Sequence, residues 1–135
     1  MMVKLFLAIA ALLAGLSVAL GAFASHGLKD KLTERALEIF ETATRYQMYH
    51  ALALALVAVL IMQSESIQSE LIGMTTQPWL NAAGYAFIAG IIVFSGSLYA
   101  LSFSGIKVLG AITPIGGVAF MVGWGCVAIA AFSFK

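Results

Sequence analysis

Charge is scarce in this chain of 135 residues: 10% are Asp, Glu, Lys or Arg, against 62% hydrophobic. A soluble domain carries roughly 25% charged residues, so this sequence lacks the polar surface that water demands. The formal net charge is only +1. That argues against a nucleic-acid partner, because phosphate binding needs a concentrated basic field. Cysteine is reduced to Cys126, which excludes an internal disulfide; set in an apolar segment, it reads as a buried, inert thiol. Histidine is limited to His26 and His50. There is no Gly-x-Ser-x-Gly, no acid–histidine arrangement beside Ser95 or Ser97, no phosphate loop and no metal-ligand spacing. The expectation is one domain that is not an enzyme and holds no metal and no cofactor.

What the sequence has in abundance is apolar length. Leu5 to Ala24 spans about twenty residues, enough at ~1.5 Å per residue to cross ~30 Å of hydrocarbon. A secretory signal is the rival reading, with Lys4 ahead of the run and Ala22-Phe23-Ala24 as a small-x-small cleavage site. The run is longer than an ordinary signal core, so a retained first transmembrane helix is expected. Along it Ala11, Gly15, Ala19, Ala22 and His26 form a row within roughly 80° at ~100° per residue. Small residues in such a row admit a neighbouring backbone, which predicts that His26 points toward protein. Gly27 offers a stop.

Leu28 to Leu32 reads as a solvated turn and Thr33 as an N-cap, with Glu34 in the favourable first turn. Residues 33–45 are expected to form an interfacial helix whose apolar members are Leu37 and Phe40. Glu41 and Arg45 stand four apart in the better orientation for an ion pair. The second span is expected over 46–63, and Gln47, Ala51, Ala55 and Ala58 make a small or polar stripe suited to the first helix. Gln63 to Gln77 is a polar connector without lysine or arginine. Pro78 sits where a helix would begin, and Trp79 suits the interfacial aromatic belt. A third span follows over 79–101, with Gly84, Gly90 and Gly96 available for close packing. The fourth, 108–132, is interrupted by Thr113-Pro114 and Gly116-Gly117, so that the helix either kinks or starts at Pro114. Trp124 lies too deep for the belt and is expected to pack against another helix. These pieces predict an all-α integral membrane bundle of four transmembrane helices, the second extended into the cytoplasmic interface. Lys29, Lys31, Arg35, Arg45 and Lys107 fall on one side, which predicts that both termini lie outside the cytoplasm, in the cell membrane.

Four ordered motifs carry a resemblance. They are Gly21-Ala22-Phe23-Ala24-Ser25-His26-Gly27-Leu28; Phe40 to Leu54, centred on Arg45-Tyr46-Gln47-Met48-Tyr49-His50; Phe94-Ser95-Gly96-Ser97-Leu98-Tyr99; and Gly110 to Gly117. They resemble the domain-of-unknown-function 423 family, small membrane proteins whose eukaryotic relatives are called transmembrane protein 256. One departure is Ala24-Ser25, where the family more often has Gly-Ala. The resemblance implies a class of object and brings no activity with it.

The candidate polar site is His26, Glu41, Arg45, Tyr46, Gln47 and His50. Both histidines are placed near the cytoplasmic ends of adjacent helices, where they could meet. A structural pairing is favoured over a metal or haem, because no third ligand stands at known spacing. The bland reading of the remaining polar residues is an interfacial anchor with a Glu41–Arg45 pair. The sharper one is a polar vestibule for an ion or small anion. Three functions follow: a packing module, accessory subunit or homo-oligomer held in the lipid bilayer; a small transporter or channel; and, more weakly, a haem- or quinone-associated subunit.

Overall fold

In the computed structural model the described residues are 2–66 and 70–132, with side chains described outside 66–75; residues 67–69 of the polar connector lie outside them. The elements are helical throughout: α1 Met2–Phe23, α2 Glu34–Ser66, α3 Glu70–Gly90, α4 Gly96–Ser104 and α5 Val108–Ala131. A π-helical turn, Ala24–Leu28, extends α1, and a second, Ile91–Ser95, joins α3 to α4 without a break. The result is four rods, each long and apolar enough to cross a membrane.

As expected, the second helix is continuous: residues 34–45 run on into the span, giving a single helix of 33 residues, ~50 Å long at ~1.5 Å per residue. The cause is Phe40. It is buried with Ala24 and Leu28, and Leu20, Leu37 and Tyr99 pack round them. This small cluster fastens the charged end of α2 to α1 and α4, so the helix has no reason to bend away. Thr33 caps it as expected, its Oγ1 accepting from the Ala36 N–H at 3.2 Å.

The prolines do differ from expectation. Pro78 does not begin a helix; it lies inside α3, which runs back to Glu70. Pro114 likewise neither starts nor ends its helix, since α5 begins at Val108 and passes through it. Pro114 removes the donor that the Gly110 carbonyl would use. Beside it, the Thr113 hydroxyl donates to the Leu109 carbonyl at 3.3 Å. The turn between α4 and α5 closes at Gly105, whose φ of 67° is left-handed and whose N–H bonds the Leu101 carbonyl. A residue with a Cβ is strained there.

α3, α4 and α5 are held by sockets. A Cβ on Gly123 would strike the Phe87 ring, one on Gly90 the Phe120 ring, and one on Gly116 the backbone of Phe94. The Ser97 and Thr113 hydroxyls meet at 2.7 Å. These four pairings advance by three, four and three residues on both helices, so the rods run antiparallel in one strict register. Close approach of backbones at small residues is how helices attract one another where no hydrophobic drive exists. Gly84 receives Phe6 from α1 in the same way, and Gly117 is in ordinary contact with Phe94, whereas Gly96 faces open space.

α1 turns a different face inward from the one predicted. Ala11, Gly15 and Ala19 are exposed, and nothing stands within 4 Å of a Cβ placed on Gly15. The buried positions are Phe6, Ala10 and Ser17. Position 10 is ~100° round the helix from position 11, and that face carries both the ring that fills Gly84 and the hydroxyl that reaches α2. The stripe predicted on α2 does face inward: Gln47, Ala51 and Ala58 are buried.

Candidate functional site

Several polar groups inside the bundle form bridges between helices, while Thr44, Ser64 and Ser102 bond back to their own helices and Thr76 Oγ1 and Asn81 Oδ1 are buried with no partner among the described residues. Ser17 donates to the Thr44 carbonyl at 2.7 Å. Gln47 donates through Nε2 to the Leu13 carbonyl at 2.8 Å, and its Oε1 accepts from the Tyr99 hydroxyl at 2.9 Å. One amide thus joins α1, α2 and α4. Ser95 donates to the Ala43 carbonyl at 2.9 Å. A buried polar group without a partner in an apolar medium costs several kcal/mol, on the order of 2–7, so satisfaction of this kind is the condition for burying them.

The same bonds set the depth of His50. Thr44 is level with Ser17 and Gln47 with Leu13, so His50 is level with the stretch around Ala10. His26 lies about sixteen residues farther along α1, ~24 Å away along the axis at ~1.5 Å per residue. The expected meeting of the two histidines therefore does not occur. His26 sits in the π turn and is exposed, where the small-residue row had predicted a protein-facing side chain. His50 is not near a membrane surface either. It lies flat on Phe120, ring centroids 3.4 Å apart and planes 6° apart, and Phe120 occupies the middle of α5 opposite Gly90 in the middle of its own span. Tyr46, Phe87 and Trp124 complete an aromatic surround. Trp124 contributes an edge-on contact to Phe87 while remaining half exposed.

His50 Nδ1 lies 2.8 Å from the Tyr46 carbonyl of its own helix. A carbonyl only accepts, so Nδ1 carries the proton, and the neutral ring presents Nε2 as an acceptor. Ionisable side chains at membrane depth are rare and are functional candidates by default. Among the described residues, however, no three His, Cys, Asp or Glu side chains gather as metal ligands.

The charged members of the predicted site lie elsewhere. Glu41 and Arg45 are exposed and form no ion pair with each other; Arg45 instead points Nε at the Glu41 carbonyl, 3.4 Å away. Arg35 and Glu38, about two turns earlier, do form an ion pair, at 3.0 Å. Three methylenes of arginine stem lying back along α2 bring the Arg45 head toward the loop end of the bundle. Tyr46 stacks on Phe94 at 4.6 Å. The six predicted residues therefore separate into a bridge (Gln47), an aromatic layer (Tyr46 and His50), a charged edge (Glu41 and Arg45) and an isolated His26.

The profile of a family described as "Protein of unknown function (DUF423)" matches residues 20–117. The chain belongs to this family. The UPF0382 membrane protein SAB0533 of Staphylococcus aureus (strain bovine RF122 / ET3-1) is 48% identical over 131 residues, covering 97% of this chain and 98% of the relative. The UPF0382 membrane protein YwdK of Bacillus subtilis (strain 168) is 44% identical over the same coverage. No solved structure matches. Like these relatives, this DUF423 chain is a membrane protein, and its family model ends within the first turns of α5.

Sequence reasoning about the DUF423 chain missed Tyr99 as the partner of Gln47 and Phe120 as the partner of His50, and it missed Ser17, Ser95 and Thr113 as bridges between helices. Each is an isolated polar or aromatic residue in an apolar run. The available signal was the cost of burying a hydroxyl in a span, which demands a partner on some neighbouring helix without saying which.

Proposed function

We propose that this protein is a non-enzymatic structural component of the cell membrane: a helix-packing module that serves as an accessory subunit or assembles with copies of itself. Both termini lie outside the cytoplasm in this reading, with the loop at Lys29–Leu32 inside. The observation that carries it is the use made of polarity within the bundle. Ser17, Gln47, Ser95, Ser97, Tyr99 and Thr113 bond to one another or to backbone carbonyls across helices. Two grooves at the loop end share only Arg45 with the six predicted site residues. Side chains committed to joining helices are unavailable to a substrate.

A transporter is the competing reading, and one observation favours it: His50, an ionisable side chain, lies at the middle of the spans, with Nδ1 on the Tyr46 carbonyl. Purification of the full chain in mild detergent, followed by native mass spectrometry, separates the two. A stoichiometric partner or a discrete multiple of the chain mass is the expected result. A partnerless monomer that moves protons or ions across proteoliposomes, and loses that flux in His50→Ala, would replace the structural reading with transport.

A further inference from the structure

The groove between α2 and α4 at the loop end of the bundle is built unlike the rest of the surface. Its lower part, about 370 Å³, lies among Thr33, Arg35, Ile39, Leu101, Ser102 and Lys107. Its upper part, about 400 Å³, shares Arg35 and Ile39 and continues to Glu38, Thr42, Leu98 and Arg45, so that its one carboxylate is the Glu38 already paired with Arg35. From Thr33 to Arg45 the groove runs ~18 Å along α2 at ~1.5 Å per residue. Ile39, Leu98 and Leu101 supply an apolar wall, and cations stand at the bottom, on the edge and at the top.

We propose that this groove is a binding site for an anionic glycerophospholipid, with the phosphate between Arg35 and Lys107 and one acyl chain against Ile39, Leu98 and Leu101.

Charge complementarity selects the headgroup. The lower groove is lined by two cations and no carboxylate. Lys107 makes no ion pair among the described residues, and Glu38 engages one Arg35 nitrogen, Nη1. A guanidinium has five N–H donors, so the Arg35 fork keeps others for a phosphate. The Thr33 hydroxyl oxygen accepts from the Ala36 N–H, which leaves its own proton to donate. Lys107 also stands at the start of α5, whose first turn holds no acidic residue, so the helix dipole adds to the attraction. The apolar wall then favours a lipid over a free phosphate. A soluble anion needs the cations alone, whereas the groove reaches to Arg45, level with Leu16 inside the apolar run of α1. Basic pockets between membrane helices on the headgroup side are suited to anionic lipids.

The test uses the full chain in mild detergent, with dioleoyl phosphatidylglycerol and dioleoyl phosphatidylcholine added separately and retention read by native mass spectrometry. Phosphatidylglycerol should survive activation that strips phosphatidylcholine, and excess inorganic phosphate should not displace it. Arg35→Gln and Lys107→Gln should each weaken retention about five-fold, the equivalent of one basic side chain near an anionic surface. Lys4→Gln, at the opposite end of α1, should not. Ile39→Trp fills the groove without changing its charge and should expel the lipid. Equal retention of the two lipids, or retention indifferent to Arg35→Gln, Lys107→Gln and Ile39→Trp, overturns the proposal. Displacement by inorganic phosphate overturns the choice of a lipid as occupant.

Discussion

At the scale of single residues, Gln47 and Gly116 do the most with the least. Gln47→Ala removes two interhelical hydrogen bonds and leaves the Tyr99 hydroxyl without its acceptor. Interhelical bonds in membranes are each worth about 0.6 kcal/mol and at most about 1.7. Thermal unfolding in detergent should therefore show Gln47→Ala destabilised by about 1–3 kcal/mol, and Tyr99→Phe by about 0.6 kcal/mol. A Gln47→Ala protein as stable as the parent would show that the bridge is idle. Gly116→Ala drives a methyl into the Phe94 backbone, which cannot step aside; overpacking of this kind costs about 1–3 kcal/mol or more. Gly96→Ala meets open space within a helix, so it should be neutral or stabilising by up to about 1 kcal/mol. The same unfolding measurement distinguishes the two glycines, and equal effects would refute the socket. Sequence alone made both glycines look like packing residues, because the absence of a side chain is visible and what approaches it is not. Gln47 was legible for the opposite reason: an amide with alanines at its helical neighbours has few places to go but into an adjacent helix.

At the scale of elements, periodicity and length gave four helical spans, and the structure adds their register. Register is where local reading stops. The distance between His26 and His50 depends on how far α2 slides along α1, and that is set by Ser17 and Gln47 finding particular carbonyls. The face of α1 was misread for a related reason. Two adjacent faces both carried small residues, and the choice was made by the ring of Phe6 and the cavity at Gly84. The continuity of α2 was legible from its length, but the role of Phe40 was not, since it looks like a lone apolar residue among charges until Leu28 and Tyr99 close round it. The α4–α5 register has a direct check. In a Cys126→Ala background, Ser97→Cys with Thr113→Cys should crosslink under mild oxidation, because the native hydroxyl oxygens are 2.7 Å apart. Ser97→Cys with Gly117→Cys, one turn displaced, should not. The reverse pattern would place the helices a turn out of step.

For the whole molecule, the governing fact is mismatch. α2 is ~50 Å long against ~30 Å of hydrocarbon, so it must tilt or project, and its charged residues show which end projects. Glu34, Arg35, Glu38 and Glu41 are all exposed on that end. The proposed orientation is checked by Lys31→Cys in intact cells, with Cys126→Ala as background. An impermeant maleimide should label it only after the membrane is opened, and labelling from outside would invert the topology. Lys4→Cys should behave in the opposite way.

The π turn at Ile91–Ser95 has its own consequence for how this protein tolerates change. A π turn is a helix holding one residue too many. Loss of any one residue there would restore an ordinary helix, yet everything after it would rotate by ~100°. Ser97 would swing off Thr113, Tyr99 off Gln47, and the end of α4 away from Phe40. The surplus residue is thus a phase setting: it lets one continuous rod stay packed against both α2 and α5 in its upper half and in its lower half.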